Sequence, residues 1–437
     1  MTDRVFTASR VPLRGEVRVP GDKSLSHRAV LFASMAEGAS TLTGVLDSED
    51  VRSTIEVCRA LGAVIEVGAT RRGAFDAVRV TGWGAHGPRQ PSSPLDCGNS
   101  GTTVRLLMGV LAGWPIRAVL TGDESLSRRP MLRVTRPLES MGARFDTSDA
   151  GTLPVSVTGS GALASTVYES PVASAQVKTA VLLAGLRACG VTRVTEPSLS
   201  RDHTERLLPA FGVPVVVDGA PGASVTGPAT LAACDLAVPA DPSSAAFLAV
   251  AALLVPGSEI VLPGVSLNPT RTGFLEVLER MGADIEVRDR MEEGAEPLGT
   301  IVARYTPSLT CTSVSAAEVP SLVDEVPVLA LAASRAAGVT RFEGVGELRV
   351  KESDRLNAIV DGLSGFGVSV AAAGESLVVE GPAALRGADV DSLGDHRLAM
   401  VWTIAGLIAE GETRVRRHEA VAVSYPGFVE DLASLAP

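Results

Sequence analysis

The sequence is poor in residues that bind metals, form disulfides or anchor a chain in a membrane. It has five cysteines, five histidines and 4% aromatic residues in 437 positions. No C-x-x-C, H-x-H or H-E-x-x-H occurs, which predicts no metal site, no cofactor and reduced cysteines. The longest strongly apolar run, Ala245–Pro256, is shorter than the roughly 18 residues of a membrane helix. The first residues lack an apolar signal segment, so we expect a cytoplasmic protein without a membrane partner.

Positive charge is also in deficit. The sequence contains 39 Lys and Arg against 50 Asp and Glu, a formal net charge of −11. This balance is unfavourable for binding nucleic acids or anionic lipids. We therefore expect small-molecule partners, no nucleic acid and a monomeric protein.

A helix-like segment that ends in glycine and continues as an apolar strand recurs along the chain. The glycines are Gly62, Gly142, Gly212, Gly282 and Gly367, spaced 70 to 85 residues apart. Glycine after a helix adopts the left-handed conformation that ends it. The pattern predicts a repeated α/β unit, with a sixth copy cut short by the C-terminus.

A second series of helices is apolar nearly all round, which predicts that these helices are buried. The segments are HRAVLFASMAEG, TTVRLLMGVLAG, AQVKTAVLLAG, SSAAFLAVAALLVPG, DEVPVLALAASRAAG and DHRLAMVWTIAGLIAEG. The predicted fold class is α/β, with two similar domains of three units each, buried helices inside and sheets outside. Ordinary α/β alternation with chance glycine placement is the alternative.

Polar residues are concentrated where these helices begin. A helix N-terminus presents unpaired N–H groups and a positive dipole end, which together attract anions. The candidate cations are Lys23, Arg28, Arg105, Arg128, Arg129, Arg201, Lys351, Arg355 and Arg397, and the candidate acids or bases are Asp324 and Glu352. Any of these could instead be a solvated surface residue. Asp202 and Asp354 precede amphipathic helices and are expected to cap them.

Several familiar motifs are missing. GNSGTT is not followed by G-K-[ST] and does not match G-x-G-x-x-G, so nucleotide binding has weak support. No G-x-S-x-G is present, which disfavours a serine hydrolase.

The polar segments resemble, in order and over nearly the whole chain, those of the 5-enolpyruvylshikimate-3-phosphate synthase family. The matching motifs are PGDKSLSHR, GNSGTTVRL, GDESLSRRPM, ASAQVK, SRDHTE, NPTRTG, DEVPVLA, ELRVKESDRL and DHRLAM. The resemblance implies an enolpyruvyl transferase fold with three βαβαββ units in each domain. It implies a shikimate-phosphate-binding domain at 21–240 and a second domain at 1–20 and 241–437, with the active site in the cleft between them.

The resemblance also implies a reaction and its residues. The enolpyruvyl group of phosphoenolpyruvate would move to the 5-hydroxyl of shikimate 3-phosphate, in aromatic amino-acid synthesis. Asp324 would take the hydroxyl proton, and Glu352, with Lys23, would exchange a proton with the methylene carbon. Shikimate 3-phosphate would be bound by Lys23, Ser24, Arg28, Ser174, Ala175, Gln176, Arg201, Asp324 and Lys351, and phosphoenolpyruvate by Lys23, Gly101, Arg129, Gln176, Arg355 and Arg397.

This sequence departs from the family pattern at two positions. Leu106 stands where plant and enteric members have proline, and Val423 where they have a lysine that contacts phosphoenolpyruvate. The alternatives are a UDP-N-acetylglucosamine enolpyruvyl transferase, a non-catalytic anion-binding homologue, and the same chemistry on another cyclitol. The first of these families carries Lys-Asn where this chain has Lys23-Ser24.

Overall fold

A computed structural model describes residues 2–71, 73–219, 221–291 and 295–436, in which helices and strands alternate. The helices are α1 (Lys23–Met35), α2 (Glu49–Ala60), α3 (Gly101–Ala112), α4 (Glu124–Ser127), α5 (Leu132–Ser140), α6 (Ala175–Gly185), α7 (His203–Ala210), α8 (Pro242–Leu254), α9 (Gly273–Arg280), α10 (Val326–Ala333), α11 (Arg355–Gly365), α12 (His396–Ile408) and α13 (Phe428–Ser434). Short 3₁₀ turns lie at Gly84–His86, Val319–Ser321, Gly346–Val350 and His418–Val423. No helix in these ranges combines the length and apolar character needed to cross a bilayer.

The strands are short. In chain order they are β1 (Arg4–Thr7), β2 (Arg14–Glu16), β3 (Ala39–Thr43), β4 (Val64–Val67), β5 (Thr70–Arg71), β6 (Ala74–Phe75), β7 (Val78–Thr81), β8 (Leu95–Asp96), β9 (Arg117–Thr121), β10 (Arg144–Asp146), β11 (Val155–Thr158), β12 (Val167–Glu169), β13 (Gly190–Thr195), β14 (Val215–Val216), β15 (Gly222–Gly227), β16 (Leu236–Ala237), β17 (Glu259–Ser266), β18 (Asp284–Met291), β19 (Leu298–Arg304), β20 (Ser313–Val314), β21 (Gly338–Phe342), β22 (Ser369–Ala373), β23 (Ser376–Gly381), β24 (Asp389–Asp391) and β25 (Glu412–Arg416).

The predicted helix–glycine–strand junctions are confirmed. Helices α2, α5, α7, α9 and α11 each end two residues before one of the five glycines, and a strand follows within three residues. The φ angles of these glycines range from 77° to 110°, values at which a side chain would be strained. The repeat seen in the sequence is therefore a repeat of backbone geometry.

The chain divides into two compact units. Unit 1 comprises Met1–Pro20, Pro239–Glu293 and Pro297–Pro437, and unit 2 comprises Gly21–Val238 and Gly294–Glu296. The observed boundary falls two residues before the 240/241 boundary expected from the sequence. Ala295 and Glu296, from the C-terminal half of the chain, cluster with unit 2.

The apolar helices form the two cores, as predicted. Unit 2 buries α1, α3 and α6 in one hydrophobic cluster, and unit 1 buries α8, α10 and α12 in another. All 13 residues of α8 are buried, since this helix has no polar face to offer to water. Burial of such helices leaves only their polar N-termini available for chemistry.

Six sheets share one pairing rule. The strand that follows a buried helix pairs in parallel with one neighbour and antiparallel with the other. The strand orders are β16-β3-β7-β4, β10-β11-β9-β8 and β12-β13-β15-β14 in unit 2, and β18-β19-β17-β2, β20-β21-β23-β22 and β1-β25-β24 in unit 1. Each unit thus repeats one supersecondary arrangement three times.

Candidate active site

The first turns of the three buried helices in unit 2 carry many of the candidate residues. The side chains of Asp22, Ser100 and Ser174 cap α1, α3 and α6 by accepting a hydrogen bond from the backbone N–H three residues further on. Lys23, Gly101 and Ala175 are consequently the first residues of these helices. Such capped ends present the remaining N–H groups and the positive end of the helix dipole to an anion.

Arg28 is buried on α1 and is held by hydroxyl groups of two other helices. Its Nε donates to Thr204 Oγ1 at 2.9 Å, and its Nη2 donates to Thr179 Oγ1 at 3.0 Å. The third nitrogen donates to the backbone oxygen of Ser24 at 3.1 Å. Burial, together with the charge of Arg201, lowers the pKa of Arg28 to about 10, although nearby carboxylates oppose the shift. The guanidinium therefore remains a cation at neutral pH.

Lys23 pairs with a carboxylate that the sequence analysis did not identify. Its Nζ lies 2.6 Å from Asp50 Oδ2 at the start of α2, and 20% of the Lys23 side chain is exposed. Asp50 stands in a capped, acidic first turn, and this is the only sequence signal that could have pointed to it. Lys23 is thus a positioned ammonium that remains reachable from solvent.

Two arginines converge on the glycine that begins α3. A Cβ atom on Gly101 would lie 2.9 Å from Arg105 Nη1 and 3.2 Å from Arg129 Nη1. Arg105 donates to Gln176 Oε1 at 2.7 Å, and Arg129 donates to Asn99 Oδ1 at 2.7 Å. The sequence-predicted residues Gly101, Arg129 and Gln176 are therefore brought together in unit 2, with Arg105 between them.

On the assignment that the family resemblance implies, Gly101→Ala should weaken phosphoenolpyruvate binding, because the added methyl displaces one or both guanidinium groups. A crowded contact of this kind costs about 1–3 kcal/mol, so the KM for phosphoenolpyruvate should rise about tenfold or more. Steady-state kinetics measures it. Gly161→Ala is the control, since its Cβ would meet only ordinary contacts at 3.9 Å. An unchanged KM in Gly101→Ala would contradict the assignment.

A buried polar chain links α1, α2 and α3. His27 Nδ1 lies 2.7 Å from Thr54 Oγ1, which lies 2.6 Å from Thr103 Oγ1, and this hydroxyl donates to Ser100 Oγ at 2.7 Å. Burial lowers the pKa of His27 to about 3, although Asp50 raises it in part. The imidazole is therefore neutral at physiological pH and serves packing and orientation rather than charge.

His27 should make the protein less stable in acid. The unfolded chain binds this proton near pH 6.5 and the folded protein only near pH 3. In the interval the unfolded state holds more protons, so the free energy of unfolding rises with pH and levels off above 6.5. The slope should reach about 1.4 kcal/mol per pH unit. Urea unfolding of wild type and His27→Gln measures it. The difference between the two curves should be flat from pH 7 to 9, and a flat difference below pH 6 would refute the prediction.

In unit 1, one buried arginine contacts three carboxylates. Arg355 Nε donates to Asp395 Oδ2 at 2.7 Å, and its two other nitrogens contact Asp324 Oδ1 at 3.1 Å and Glu352 Oε2 at 2.5 Å. The Arg355 side chain is 1% exposed. Burial lowers its pKa, but the three carboxylates together raise it above the ordinary value. The cluster therefore holds a permanent cation beside both predicted catalytic acids.

Arg397, in the first turn of α12, completes this cluster. Its Nη2 lies 3.4 Å from Asp324 Oδ2, and its Nη1 donates to the backbone oxygen of Asp324 at 3.2 Å. Asp395 caps α12 through the N–H of Arg397. Asp324 and Glu352 keep 11% and 24% of their side chains exposed, so both carboxylates can be reached by a substrate.

The structure adds partners that the sequence did not give, and it contradicts one expected helix cap. The Lys351 ammonium pairs with Glu347 at 2.7 Å. Asp354 caps α11 as predicted, but the side chain of Asp202 makes no capping bond to α7 and accepts from Arg206 instead. Asp395 and Asn99 were missed as individual residues, although both lie in the polar segments singled out before helices. Among the described residues, no three His, Cys, Asp or Glu side chains are grouped as metal ligands.

The remaining predicted residues lie in unit 2. Ser24 follows Lys23 on α1, and Ser174 and Ala175 lie at the capped start of α6. Arg201 is half-buried in the segment that leads into α7.

The chain has the fold of the enolpyruvyl transferases. The structure of EPSP synthase from Acinetobacter baumannii covers all of the chain at 41% identity, with 98% of that protein covered and a TM-score of 0.88. The structure of the enolpyruvyl transferase NikO from Streptomyces tendae is 21% identical in sequence, with a TM-score of 0.78. The match covers 99% of this chain and 97% of the NikO chain. This confirms the predicted fold class.

Sequence relatives define the family. The model of the family "EPSP synthase (3-phosphoshikimate 1-carboxyvinyltransferase)" matches residues 8–432. A 3-phosphoshikimate 1-carboxyvinyltransferase from Geobacillus thermodenitrificans is 49% identical over 97% of the chain and 96% of its own length. One from Bacillus cereus is 46% identical over the full length of both. The chain belongs to the EPSP synthase family and is a transferase.

Proposed function

We propose that this protein transfers the carboxyvinyl group of phosphoenolpyruvate to the 5-hydroxyl of shikimate 3-phosphate and releases phosphate. The observation that carries the proposal is the cluster in unit 1. Arg355 contacts both Asp324 and Glu352, and Arg397 contacts Asp324, so two cations lie beside these two carboxylates. Carboxyvinyl transfer needs a base at a hydroxyl, an acid at a carbon and cations for the anionic substrates. Family membership supports the same activity.

The phosphate of shikimate 3-phosphate is assigned to the helix N-termini of unit 2. Ser174, Ala175 and Gln176 begin α6, and Arg28 is a buried cation that hydrogen-bonds to α6 and α7. A capped helix end next to guanidinium groups suits a dianionic phosphate. Ser24, Lys23 and Arg201 supply further polar contacts, and Asp324 and Lys351 are assigned to the ring hydroxyls.

Phosphoenolpyruvate is assigned to the arginines. The arginines are Arg129, which lies beside Gly101, and Arg355 and Arg397 in unit 1. Gln176 belongs to the same group as Arg129, through Arg105. A planar guanidinium group binds carboxylate or phosphate through two parallel hydrogen bonds. Lys23 adds a point charge. Because both substrates are anions that repel each other, fixed cations must offset this repulsion before they can react.

The chemistry is an addition followed by an elimination. The 5-hydroxyl oxygen attacks C2 of phosphoenolpyruvate, its proton passes to Asp324, and Glu352 gives a proton to C3, which becomes a methyl group. A methyl proton then returns to the carboxylate of Glu352 while the C2–O bond to phosphate breaks and phosphate leaves. Lys23 assists the proton transfer at C3. Holding both reactants in place contributes about 7–11 kcal/mol to lowering the barrier.

Acceptor-dependent phosphate release tests the proposal. The purified protein should release phosphate from phosphoenolpyruvate only when shikimate 3-phosphate is present. Phosphate release with UDP-N-acetylglucosamine would favour a UDP-N-acetylglucosamine enolpyruvyl transferase. Phosphate release with another cyclitol would favour the same chemistry on that acceptor. Binding of both substrates without release would favour a non-catalytic homologue. Any of these three results would overturn the proposed function.

Location and oligomeric state are part of the proposal. The five cysteines are free thiols, which supports a reducing compartment such as the cytoplasm. Analytical ultracentrifugation should give the mass of a monomer.

A further inference from the structure

Unit 2 contains a buried ion cluster that the proposed chemistry does not use. Lys178 Nζ, on α6, lies 2.9 Å from Glu196 Oε2 and 2.7 Å from Glu205 Oε1. The side chains of Lys178 and Glu196 are 0% exposed, and that of Glu205 is 5% exposed. Buried ion pairs contribute little net stability compared with apolar residues of the same size. A role in shaping the site is therefore a better account of this cluster.

Glu196 connects the cluster to two segments of the candidate substrate site. Its Oε1 accepts from the backbone N–H of Ser174 at 2.7 Å and from Ser200 Oγ at 2.8 Å. Ser174 is the N-cap of α6, and Ser200 directly precedes Arg201. One carboxylate thus joins the start of α6 to the segment that carries Arg201.

We propose that Glu196, held in place by Lys178, is a positioning residue that shapes the shikimate 3-phosphate site. The inference rests on the proposed function. Glu196 does not touch the substrate in this account. It sets the distance between Ser174 and Arg201, and through them the fit of the phosphate.

Neighbouring contacts extend this arrangement to Arg28. Thr179 follows Lys178 on α6 and Thr204 precedes Glu205 on α7, and both threonine hydroxyls accept hydrogen bonds from Arg28. Burial lowers the pKa of Lys178, but Glu205 and Glu196 raise it more, so the ammonium stays charged. Lys178 is therefore a fixed positive centre, and Glu196 is oriented toward it by charge.

Two isosteric variants separate positioning from general stability. Glu196→Gln and Glu205→Gln each remove one negative charge and leave Lys178 paired with the other carboxylate. In Glu196→Gln, either orientation of the amide turns an N–H₂ donor toward a group that can only donate, the ammonium of Lys178 or the backbone N–H of Ser174. In Glu205→Gln the amide nitrogen can replace Oε2, which has no hydrogen-bond partner among the described residues. Glu205→Gln is therefore a matched control that keeps both segments in place.

The experiment measures shikimate 3-phosphate binding by calorimetry, the KM for phosphoenolpyruvate, and the melting temperature. Glu196→Gln should weaken shikimate 3-phosphate binding about tenfold or more and change the KM for phosphoenolpyruvate less than twofold. Glu205→Gln should weaken binding at most threefold, through its charge on Arg28. Ser200→Ala should weaken binding three- to fivefold, and it serves as the decisive variant where Glu196→Gln does not fold.

Each result decides the question. Equal losses of binding in Glu196→Gln and Glu205→Gln, or equal loss of affinity for both substrates, would overturn the positioning role. Wild-type affinity in Ser200→Ala would do the same. If the wild-type protein neither binds shikimate 3-phosphate nor releases phosphate, the proposed function falls and this inference with it. Weaker shikimate 3-phosphate binding in Glu196→Gln, together with an active wild-type protein, supports both the positioning role of Glu196 and the proposed function.

Discussion

Asp324→Asn and Glu352→Gln should each lower kcat by about a thousandfold, because general acid and base groups contribute about 10²–10⁴ to a rate. The asparagine at 324 can still accept from Arg355 Nη1, which now lies 3.1 Å from Asp324 Oδ1, so the cluster in unit 1 should remain folded. Phosphate release under saturating substrates measures the loss.

Asp354→Asn is the matched control for these two variants. It makes the same change of charge two residues from Glu352, at a carboxylate that caps α11 and contacts Arg349. Its kcat should stay within about twofold of the wild-type value. If Asp324→Asn or Glu352→Gln retains more than a tenth of the wild-type kcat in folded protein, that residue is not a proton-transfer group.

Arg355→Met should destabilise unit 1 by about 3–5 kcal/mol, the range measured when one partner of a buried charge network is removed. The methionine leaves the carboxylates of Asp395, Asp324 and Glu352 close together without their shared cation. Calorimetry should show a lower unfolding temperature for unit 1, and the variant should lose its activity. The difference in stability between Arg355→Met and the wild type should become smaller in acid, because protonation of the carboxylates removes the charges that repel each other.

A double variant tests the cause of this instability. Arg355→Met with Asp395→Asn removes one of the uncompensated charges and should recover part of the lost stability. Arg355→Lys keeps the charge but lacks the planar fork that reaches three carboxylates, so it should be intermediate. If the double variant is as unstable as Arg355→Met alone, lost packing rather than charge explains the effect.

The elements of the fold could be predicted from local sequence. Helices such as α8 are apolar on every side, and a helix of this kind is stable only inside a core. Gly62 and its counterparts could be recognised because a positive φ angle at a helix end favours glycine. These signals lie within a few residues of the feature they predict, and for this reason they can be read without coordinates.

The partners of the charged residues could not be predicted in this way. Lys23 pairs with Asp50, and Arg355 with Asp395, across 27 and 40 positions in the chain. A charged side chain takes the partner that the packing of other elements brings within reach, and local sequence does not record that packing.

By itself, therefore, the sequence determined the secondary structure, the repeat, the family and the set of polar residues that begin the buried helices. Only the tertiary structure decided which of these residues share a cluster, and that Lys178 and Glu196 lie buried next to Ser174. The physical reason is range. Helix formation and termination depend on neighbours within about one turn, whereas electrostatic contacts depend on atoms a few ångströms apart in space, whatever their separation along the chain.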